Sequence, residues 1–191
     1  SFHASAKSDS PLKGKYQRPD LRNHRKLLII DGKVGFTGSQ NFIDSSYNKK
    51  GNIRRGLHWK DLMVRFEGPI VAGIDALFAT DWYCETDELI LREHDVPRPV
   101  KESPIDAQVV PSGPGFEGEN NLRLFNSLVY AARERIVLTS PYFVPDDSML
   151  YAITSAAQQG LDVQLFASEI GDRPVVYHAQ RSYYEALLRA G

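Results

Sequence analysis

The stretch that decides the fold covers residues 22–44 and reads RNHRKLLIIDGKVGFTGSQNFID. Its first part is rich in branched apolar residues, which favour an extended strand. Side chains alternate between the two faces of a strand, so we expect His24 and Lys26 to point the same way. Asp31 has the opposite parity and precedes Gly32, and such a dipeptide is typical of a two-residue hairpin turn. The stretch therefore predicts a β-hairpin with a histidine and a lysine on one face.

The second arm of this hairpin is predicted over residues 33–37. It returns the chain toward His24 and is followed by Gly38, Ser39 and Asn41. The arrangement would gather a nucleophile, a cation and short hydrogen-bond donors around one point. Such a group suits a phosphate.

These residues resemble a known motif. The pattern His24-x-Lys26-x(4)-Asp31-x(6)-Gly38-Ser39-x-Asn41 is similar to the HKD motif of the phospholipase D superfamily. Further segments resemble bacterial cardiolipin synthases, and they are Trp59-Lys-Asp-Leu, Phe66-Glu-Gly-Pro69, Asp81-Trp-Tyr83, Ser140-Pro-Tyr-Phe-Val-Pro-Asp146 and Arg181-Ser-Tyr-Tyr. The resemblance extends over nearly the whole chain.

The composition is that of a globular protein, with 42% apolar and 25% charged residues among 191. No apolar run approaches the roughly 18–20 residues that cross a bilayer, and no signal-peptide pattern opens the chain. The chain starts at Ser1, so we expect it to be a piece of a longer protein. The resembling synthases usually carry membrane helices before this region, which implies that the parent protein lies at the cell membrane. Cys84 is the only cysteine and excludes an internal disulfide.

Charge is unevenly distributed along the chain. Residues 1–60 contain 13 Lys and Arg against 4 Asp and Glu, a net charge of +9, whereas residues 61–191 carry −10. This asymmetry predicts an anionic partner for the first third, although a solvated basic loop is the simpler alternative. Aromatic residues are not interleaved with the basic ones as in single-strand nucleic-acid platforms. We therefore favour phospholipid and a membrane surface, and consider nucleic acid an unlikely partner.

Strand and helix patterns alternate along the chain. After the hairpin, a strand at 61–66 precedes a helix that begins at Gly68-Pro69. Further strands are predicted over 105–110, 135–140 and 161–166, each followed by a helical pattern with three-to-four apolar spacing. The order predicts an α/β fold with a mixed or parallel sheet flanked by helices.

The resemblance implies a phospholipase D-like fold of two pseudo-repeated halves, each reaching its HKD hairpin late. Residues 1–95 are then the C-terminal part of the first half, with the HKD motif. Residues 96–104, rich in proline, are the predicted linker, and residues 105–191 are the N-terminal part of the second half. Both halves are incomplete here, and the sequence contains no second His-x-Lys-x(4)-Asp, because His58-Trp-Lys60 has Arg65 at the position of the aspartate. The remainder of the protein's own chain, carrying the second motif, is thus an expected partner.

The chemistry assigned to the first motif is phosphoryl exchange through a covalent intermediate. His24 is the candidate nucleophile, and Lys26 would neutralise the non-bridging phosphate oxygens. Ser39 and Asn41, with backbone N–H groups at Gly38, would donate hydrogen bonds to the same oxygens. We expect no cofactor and no metal, since the cations are side chains and no His-Glu-x-x-His or cysteine pair is present.

Three aspartates compete for the role of orienting the histidine. Strand parity places Asp31 away from His24, so we assign it to the turn, with an indirect effect on activity. An attacking imidazole needs an acceptor at its far nitrogen. The resemblance points to Asp61, and Asp44 is the rival. We favour Asp61, because an aspartate that enters a strand beside the hairpin is better fixed than one in a loop.

The implied reaction joins two phosphatidylglycerol molecules into cardiolipin and glycerol through a phosphatidyl-histidine. The missing second histidine would protonate the departing glycerol. The alternatives are a phospholipase D-type phosphodiesterase acting on phospholipid or nucleic acid, and a non-catalytic lipid-binding module. With one motif only, we expect the 191-residue chain to be inactive alone.

Overall fold

The computed structural model describes residues 23–90, 95–98, 105–113, 116, 118–171 and 173–191. The chain forms two compact units, Ser1–Gly115 and Phe116–Gly191. Helices and small sheets make up both, so the predicted α/β class is confirmed. The assignment of these parts to two phospholipase D-like halves stays a prediction.

The described residues of the first unit form a three-stranded antiparallel sheet with two helices. Its strands pair in chain order, and the elements are β1 (Leu27–Ile30), β2 (Val34–Gly38), α1 (Lys50–Arg55), β3 (Met63–Glu67) and α2 (Ile70–Thr86). The predicted hairpin and the strand and helix after it are therefore confirmed.

The hairpin turn forms at the predicted Asp-Gly pair. Asp31 and Gly32 have φ of 51° and 62°, a left-handed conformation at both central positions, and the Lys33 N–H donates to the Ile30 carbonyl at 2.9 Å. Ile30 pairs with Val34, which leaves three residues in the connection. The second strand consequently begins one residue later than predicted.

Helix α2 packs on one face of this sheet. Ile29, Gly35 and Phe66 are neighbours across the three strands and share that face. A Cβ on Gly35 would lie 3.2 Å from the side chain of Ile74, so the helix approaches the sheet closely at this point. Val71 and Ile74 of α2 are buried there. The absence of a side chain at residue 35 thus sets how near the two layers lie.

A largely buried ion pair fixes the chain just before β1. The guanidinium of Arg25 pairs with Asp81 of α2, and these side chains are 13% and 18% exposed. The same guanidinium donates to the carbonyl of Ser112 at 2.6 Å. Arg25 therefore attaches the segment that precedes β1 both to α2 and to residues 105–113.

The strand predicted at 105–110 is wrong, because these residues form neither a strand nor a helix. Val109 instead lies against α2, with a methyl group 3.2 Å from the position that a Cβ on Gly73 would occupy. Packing on a helix satisfies the apolar side chain without a neighbouring strand. Of the predicted linker, residues 99–104 lie outside the described residues.

The second unit contains a two-stranded parallel sheet and four helices. The elements are α3 (Asn120–Ala131), β4 (Arg135–Ser140), α4 (Asp147–Gln158), β5 (Asp162–Ala167), α5 (Pro174–Ser182) and α6 (Tyr184–Ala190). The predicted strands at 135–140 and 161–166 are confirmed. The last predicted helix is divided at Tyr183 into two.

A small apolar core holds the second unit together, and its buried members are Val129, Ile136, Phe143, Ala152, Ile153 and Ala156. Asp146 caps α4 by accepting the Met149 N–H at 2.9 Å, as its position before the helix predicts. Gln180 is 2% exposed, and its side-chain amide oxygen accepts the backbone N–H of Phe143 at 2.9 Å. None of the helices in the described part of the chain is long and apolar enough to span a bilayer.

The Arg25–Asp81 pair should dominate the stability of the first unit. We expect Arg25→Met to lower the free energy of unfolding by about 3 kcal/mol, because it leaves a carboxylate buried without its cation. Arg65→Met is the matched control. It removes an exposed ion pair with Glu67, and we expect a cost below about 1 kcal/mol. Urea titration followed by tryptophan fluorescence reports this unit, since both tryptophans, Trp59 and Trp82, lie in it. Equal losses in the two variants would contradict this expectation.

Candidate phosphate-binding site

The hairpin register brings His24, Lys26, Gly38, Ser39 and Asn41 to one end of the sheet. Leu27 pairs with Thr37, so residues 24–26, which precede β1, and residues 38–41, at the end of β2 and beyond, lie at the same end. This is the return toward His24 that the sequence predicts.

His24 and Lys26 stand immediately before β1 rather than inside it. The Lys26 ammonium donates to the backbone carbonyl of His24 at 2.6 Å, so the cation and the candidate nucleophile belong to one short hydrogen-bonded segment. His24 is exposed and Lys26 half-buried. The residue between them is Arg25, whose buried ion pair anchors the segment. An exposed imidazole on an anchored backbone is accessible to a substrate phosphate.

Gly38 permits a close approach between β2 and β3. It pairs with Met63, and a Cβ at this position would lie 2.1 Å from the Leu62 carbonyl oxygen and 2.7 Å from the Met63 sulfur. A backbone oxygen cannot move aside as a flexible side chain can. Glycine is therefore required here by the distance between the strands.

Ser39 and Asp61 are brought together by that approach. The Ser39 N–H donates to the Leu62 carbonyl at 2.9 Å. The Ser39 hydroxyl donates to Asp61 Oδ1 at 2.7 Å and accepts the Leu62 N–H at 3.0 Å. From the sequence we predicted separate roles for the side chains of Ser39 and Asp61, and their contact was not predicted. Extending the antiparallel pairing of β2 with β3 by one residue places Ser39 opposite Leu62, next to Asp61.

Asn41 is held by the loop that follows it. Its side-chain amide donates to the hydroxyl of Tyr47 at 2.5 Å. Tyr47 has a φ of 58°, and its ring lies 5.9 Å from that of Trp59, centroid to centroid. The long connection between β2 and β3 therefore orients the last residue of the Gly-Ser-x-Asn sequence.

The side chain of Asp44 forms hydrogen bonds within its own loop. Its Oδ1 accepts the Ser46 hydroxyl at 2.5 Å and the Ser46 N–H at 2.8 Å. These bonds, the hydroxyl first, hold the pKa of the Asp44 carboxyl below its ordinary value, and nearby His58 acts in the same direction. His58 itself is 2.9 Å from the Ser45 hydroxyl through Nδ1.

No described hydrogen bond joins the imidazole of His24 to Asp61 or to Asp44. Asp31 lies in the turn at the far end of β1. The four residues of β1 separate this turn from the segment that contains His24, and four residues of strand extend over roughly 13 Å. The structure thus groups Lys26 with His24, Ser39 with Asp61, and Asn41 with Tyr47. The catalytic and phosphate-binding roles of these residues stay proposals.

The chain is similar to known enzymes over most of its length. It is 39% identical over 179 residues to cardiolipin synthase A of Yersinia pseudotuberculosis serotype O:1b (strain IP 31758). It has the same identity over the same length to cardiolipin synthase A of Yersinia pestis bv. Antiqua (strain Angola). The matched residues are 92% of this chain. The chain is homologous to part of bacterial cardiolipin synthase A.

The resemblance to cardiolipin synthases that the motifs indicated is thereby confirmed. The chain spans about a third of the length of these relatives, 36% of each. No protein-family model matches the chain. No solved structure matches it either. Among the described residues, no group of three or more His, Cys, Asp or Glu side chains is placed to hold a metal ion.

The close approach at Gly38 can be tested by adding one methyl group. We expect Gly38→Ala to lower the free energy of unfolding by roughly 3 kcal/mol, because β3 must move away and the Ser39–Asp61 hydrogen bond is lost. Gly51→Ala is the matched control: a Cβ there meets nothing within 4 Å, and alanine favours helix α1. The control should be neutral or slightly stabilising in the same urea titration. A Gly38→Ala protein as stable as the control would contradict the proposed steric role.

Protonation of Asp44 should loosen the loop at acidic pH. Because the pKa of the folded state is lowered, the stability that Asp44 contributes is fully present above the ordinary aspartate pKa. It is lost as the pH falls through the lowered value. We expect the Ser46 amide resonance in NMR spectra to titrate with a midpoint below the ordinary aspartate pKa, and Asp44→Asn to abolish this titration. A midpoint at or above the ordinary value would refute the assignment.

Proposed function

We propose that this chain is part of a phosphatidyltransferase that makes cardiolipin and glycerol from two phosphatidylglycerol molecules. The observation that carries the proposal is the 39% identity to two cardiolipin synthases A over 92% of the chain. The grouping of the motif residues at one end of the hairpin supports it. Because the chain spans only part of those relatives, the activity belongs to the full-length protein that contains it.

His24 is the proposed nucleophile of the first step. A lone pair of its imidazole attacks the phosphorus of one phosphatidylglycerol, a P–N bond forms, and the P–O bond to the terminal glycerol breaks. The departing glycerol takes a proton from a general acid, which we assign to a second histidine in the remainder of the protein. A hydroxyl of the second phosphatidylglycerol then attacks phosphorus, gives its proton back to that histidine, and releases His24.

Lys26 supplies positive charge to the phosphate in this scheme. Its ammonium already lies beside the backbone of His24, to whose carbonyl it donates. A phosphoryl group bound at the His24 imidazole would therefore stand within reach of a compact cation on a flexible stem. Charge that builds on the non-bridging oxygens is stabilised by such a group. We propose no cofactor, since the side chains supply the charge that the reaction needs.

Asp61 is the proposed acceptor for the far nitrogen of His24. Its Oδ1 is fixed by the Ser39 hydroxyl, whereas the rival Asp44 has its Oδ1 bound by two groups of Ser46. We infer that Ser39 positions Asp61 in addition to facing the phosphate with Gly38 and Asn41. Asp31 would act on activity only through the hairpin turn, where it adopts a left-handed conformation.

The proposed substrate is an anionic phospholipid at the surface of the cell membrane. The net charge of +9 over residues 1–60 favours an anionic partner there. Hydrolysis is the second candidate outcome, and the exposure of His24 favours it, because water can reach an open imidazole site.

Product analysis of the full-length protein tests the proposal. Incubated with labelled phosphatidylglycerol, the protein should yield cardiolipin and free glycerol, resolved by chromatography. Phosphatidic acid alone would replace the transferase with a phosphodiesterase. Absence of any product would instead indicate a non-catalytic lipid-binding module.

Trapping the intermediate tests the nucleophile separately. We expect His24→Ala to abolish the lipid-labelled protein and to lower turnover by about a thousandfold or more. His178→Ala is the control: it removes an exposed histidine of α5 that belongs to no motif and should leave labelling unchanged. A covalent lipid label on the His24→Ala protein would refute the assignment.

A further inference from the structure

The connection between β2 and β3, residues 39–62, is long and basic, and we call it the basic loop. Its five cations are Lys49, Lys50, Arg54, Arg55 and Lys60, and no Asp or Glu occurs between residues 45 and 60. The described contacts contain no ion pair of Lys50, Arg54 or Arg55. Positive charge is therefore concentrated between residues 45 and 60, a stretch without acidic residues.

The basic loop has a defined shape despite its length. Ser46 is 3% exposed, and its carbonyl accepts the side-chain amide of Asn52 at 2.9 Å. The Trp59 N–H donates to the Ser45 carbonyl at 2.9 Å, which closes the loop near its base. Polar groups thus hold the interior of the loop, and the described hydrogen bonds and ion pairs that hold it include none from the side chains of Lys50, Arg54 or Arg55.

Helix α1, inside the basic loop, is exposed along its whole length. None of its residues is buried. Lys50, Ile53 and Arg54 share one face by their spacing of three and four residues, and Ile53 is 59% exposed. This face combines an apolar side chain with two cations.

A second apolar group stands at the start of the same loop. Phe42 is 86% exposed, although a phenyl ring gains about 2 kcal/mol or more when it leaves water. A single exposed apolar residue is ordinary on a protein surface. Exposed Phe and Ile among unpaired Lys and Arg are typical of a segment that lies in the interfacial region of a membrane.

We infer that the basic loop docks onto an anionic lipid bilayer, with Phe42 and Ile53 entering the headgroup region. Lys50, Arg54 and Arg55 then lie at the lipid phosphates, where each cation adds electrostatic attraction. Single-stranded nucleic acid fits less well, because binding to it requires several exposed aromatic rings. Of the other aromatic residues in the loop, Tyr47 and Trp59 are half-buried and contact each other.

The docking residues Phe42, Lys50, Ile53, Arg54 and Arg55 are not among those proposed for phosphate chemistry, and membrane binding through them requires no turnover. The inference rests on the proposed function in one respect, because the docked surface would bring the enzyme to its phospholipid substrate. Phosphatidylserine is a suitable probe, since it supplies negative charge without being the proposed substrate. Vesicle binding by this chain, together with no cardiolipin formation by the full-length protein, would overturn the proposed function and leave the docking surface intact.

Sedimentation of the 191-residue chain with lipid vesicles is the test. The chain should bind vesicles of phosphatidylcholine and phosphatidylserine, and bind pure phosphatidylcholine weakly. The variant Lys50→Gln/Arg54→Gln/Arg55→Gln should bind the anionic vesicles roughly a hundredfold more weakly. The control Arg98→Gln/Arg133→Gln/Arg173→Gln removes equal charge at exposed positions elsewhere and should bind almost as the parent chain does.

A second pair of variants tests the apolar contact. We expect Phe42→Ser/Ile53→Ser to weaken vesicle binding about tenfold. The vesicle binding that remains should be more sensitive to salt, because it depends on charge alone. Val175→Ser/Leu188→Ser is the matched control, because those side chains are 82% and 81% exposed. Circular dichroism spectra should show that all four variants remain folded.

Several results would overturn the inference. They are failure to bind anionic vesicles, equal binding to pure phosphatidylcholine, equal losses in a test variant and its control, and tighter binding to a single-stranded oligonucleotide than to vesicles. The variant His24→Ala/Lys26→Ala should keep vesicle binding. Loss of binding in that variant would place the lipid contact at the phosphate site and likewise overturn the inference.

Discussion

The buried ion pair between Arg25 and Asp81 is the constraint on which the candidate site depends. A guanidinium can leave water only when its charge is paired and its N–H groups are bonded, and here Asp81 and the Ser112 carbonyl meet both needs. Because Arg25 lies between His24 and Lys26, the ion pair fixes the backbone of both. The side chain of His24 can then be exposed to solvent while the backbone of the segment stays fixed. A side chain outside the motif pattern thus determines where the motif lies.

Local patterns predicted the hairpin well, because its signals lie within a few residues of one another. Asp31 and Gly32 supply the left-handed turn, and the register follows from it. The Arg25–Asp81 pair spans 56 residues, and strand parity indicates only which side Arg25 occupies. The strand at 105–110 was also predicted from a local pattern, and this prediction is wrong. Its apolar alternation is genuine, but Val109 packs on α2 while Ile105 is 82% exposed, so the apolar side chains do not form one buried strand face.

Spacing identified the candidate residues of the site but not their hydrogen bonds. A serine hydroxyl has one proton, and in this structure Ser39 gives it to Asp61 while accepting from Leu62. The same hydroxyl cannot donate to a phosphate at that moment. In this structure Ser39 therefore holds Asp61, and its hydroxyl must rotate before it can donate to a phosphate. Gly38 makes this possible, since only glycine lets β3 come near enough to form the contact.

The position of the basic loop bears on the choice between transfer and hydrolysis. The loop leaves β2 at the end of the sheet where His24 lies, and Asn41 is bonded to its Tyr47. An exposed phosphatidyl-histidine would react with water, so a transferase must keep water away from its intermediate. A bilayer against the basic loop would cover this end of the sheet and present a lipid hydroxyl there. The exposure of His24, which alone favours hydrolysis, is therefore compatible with transfer when the protein is docked.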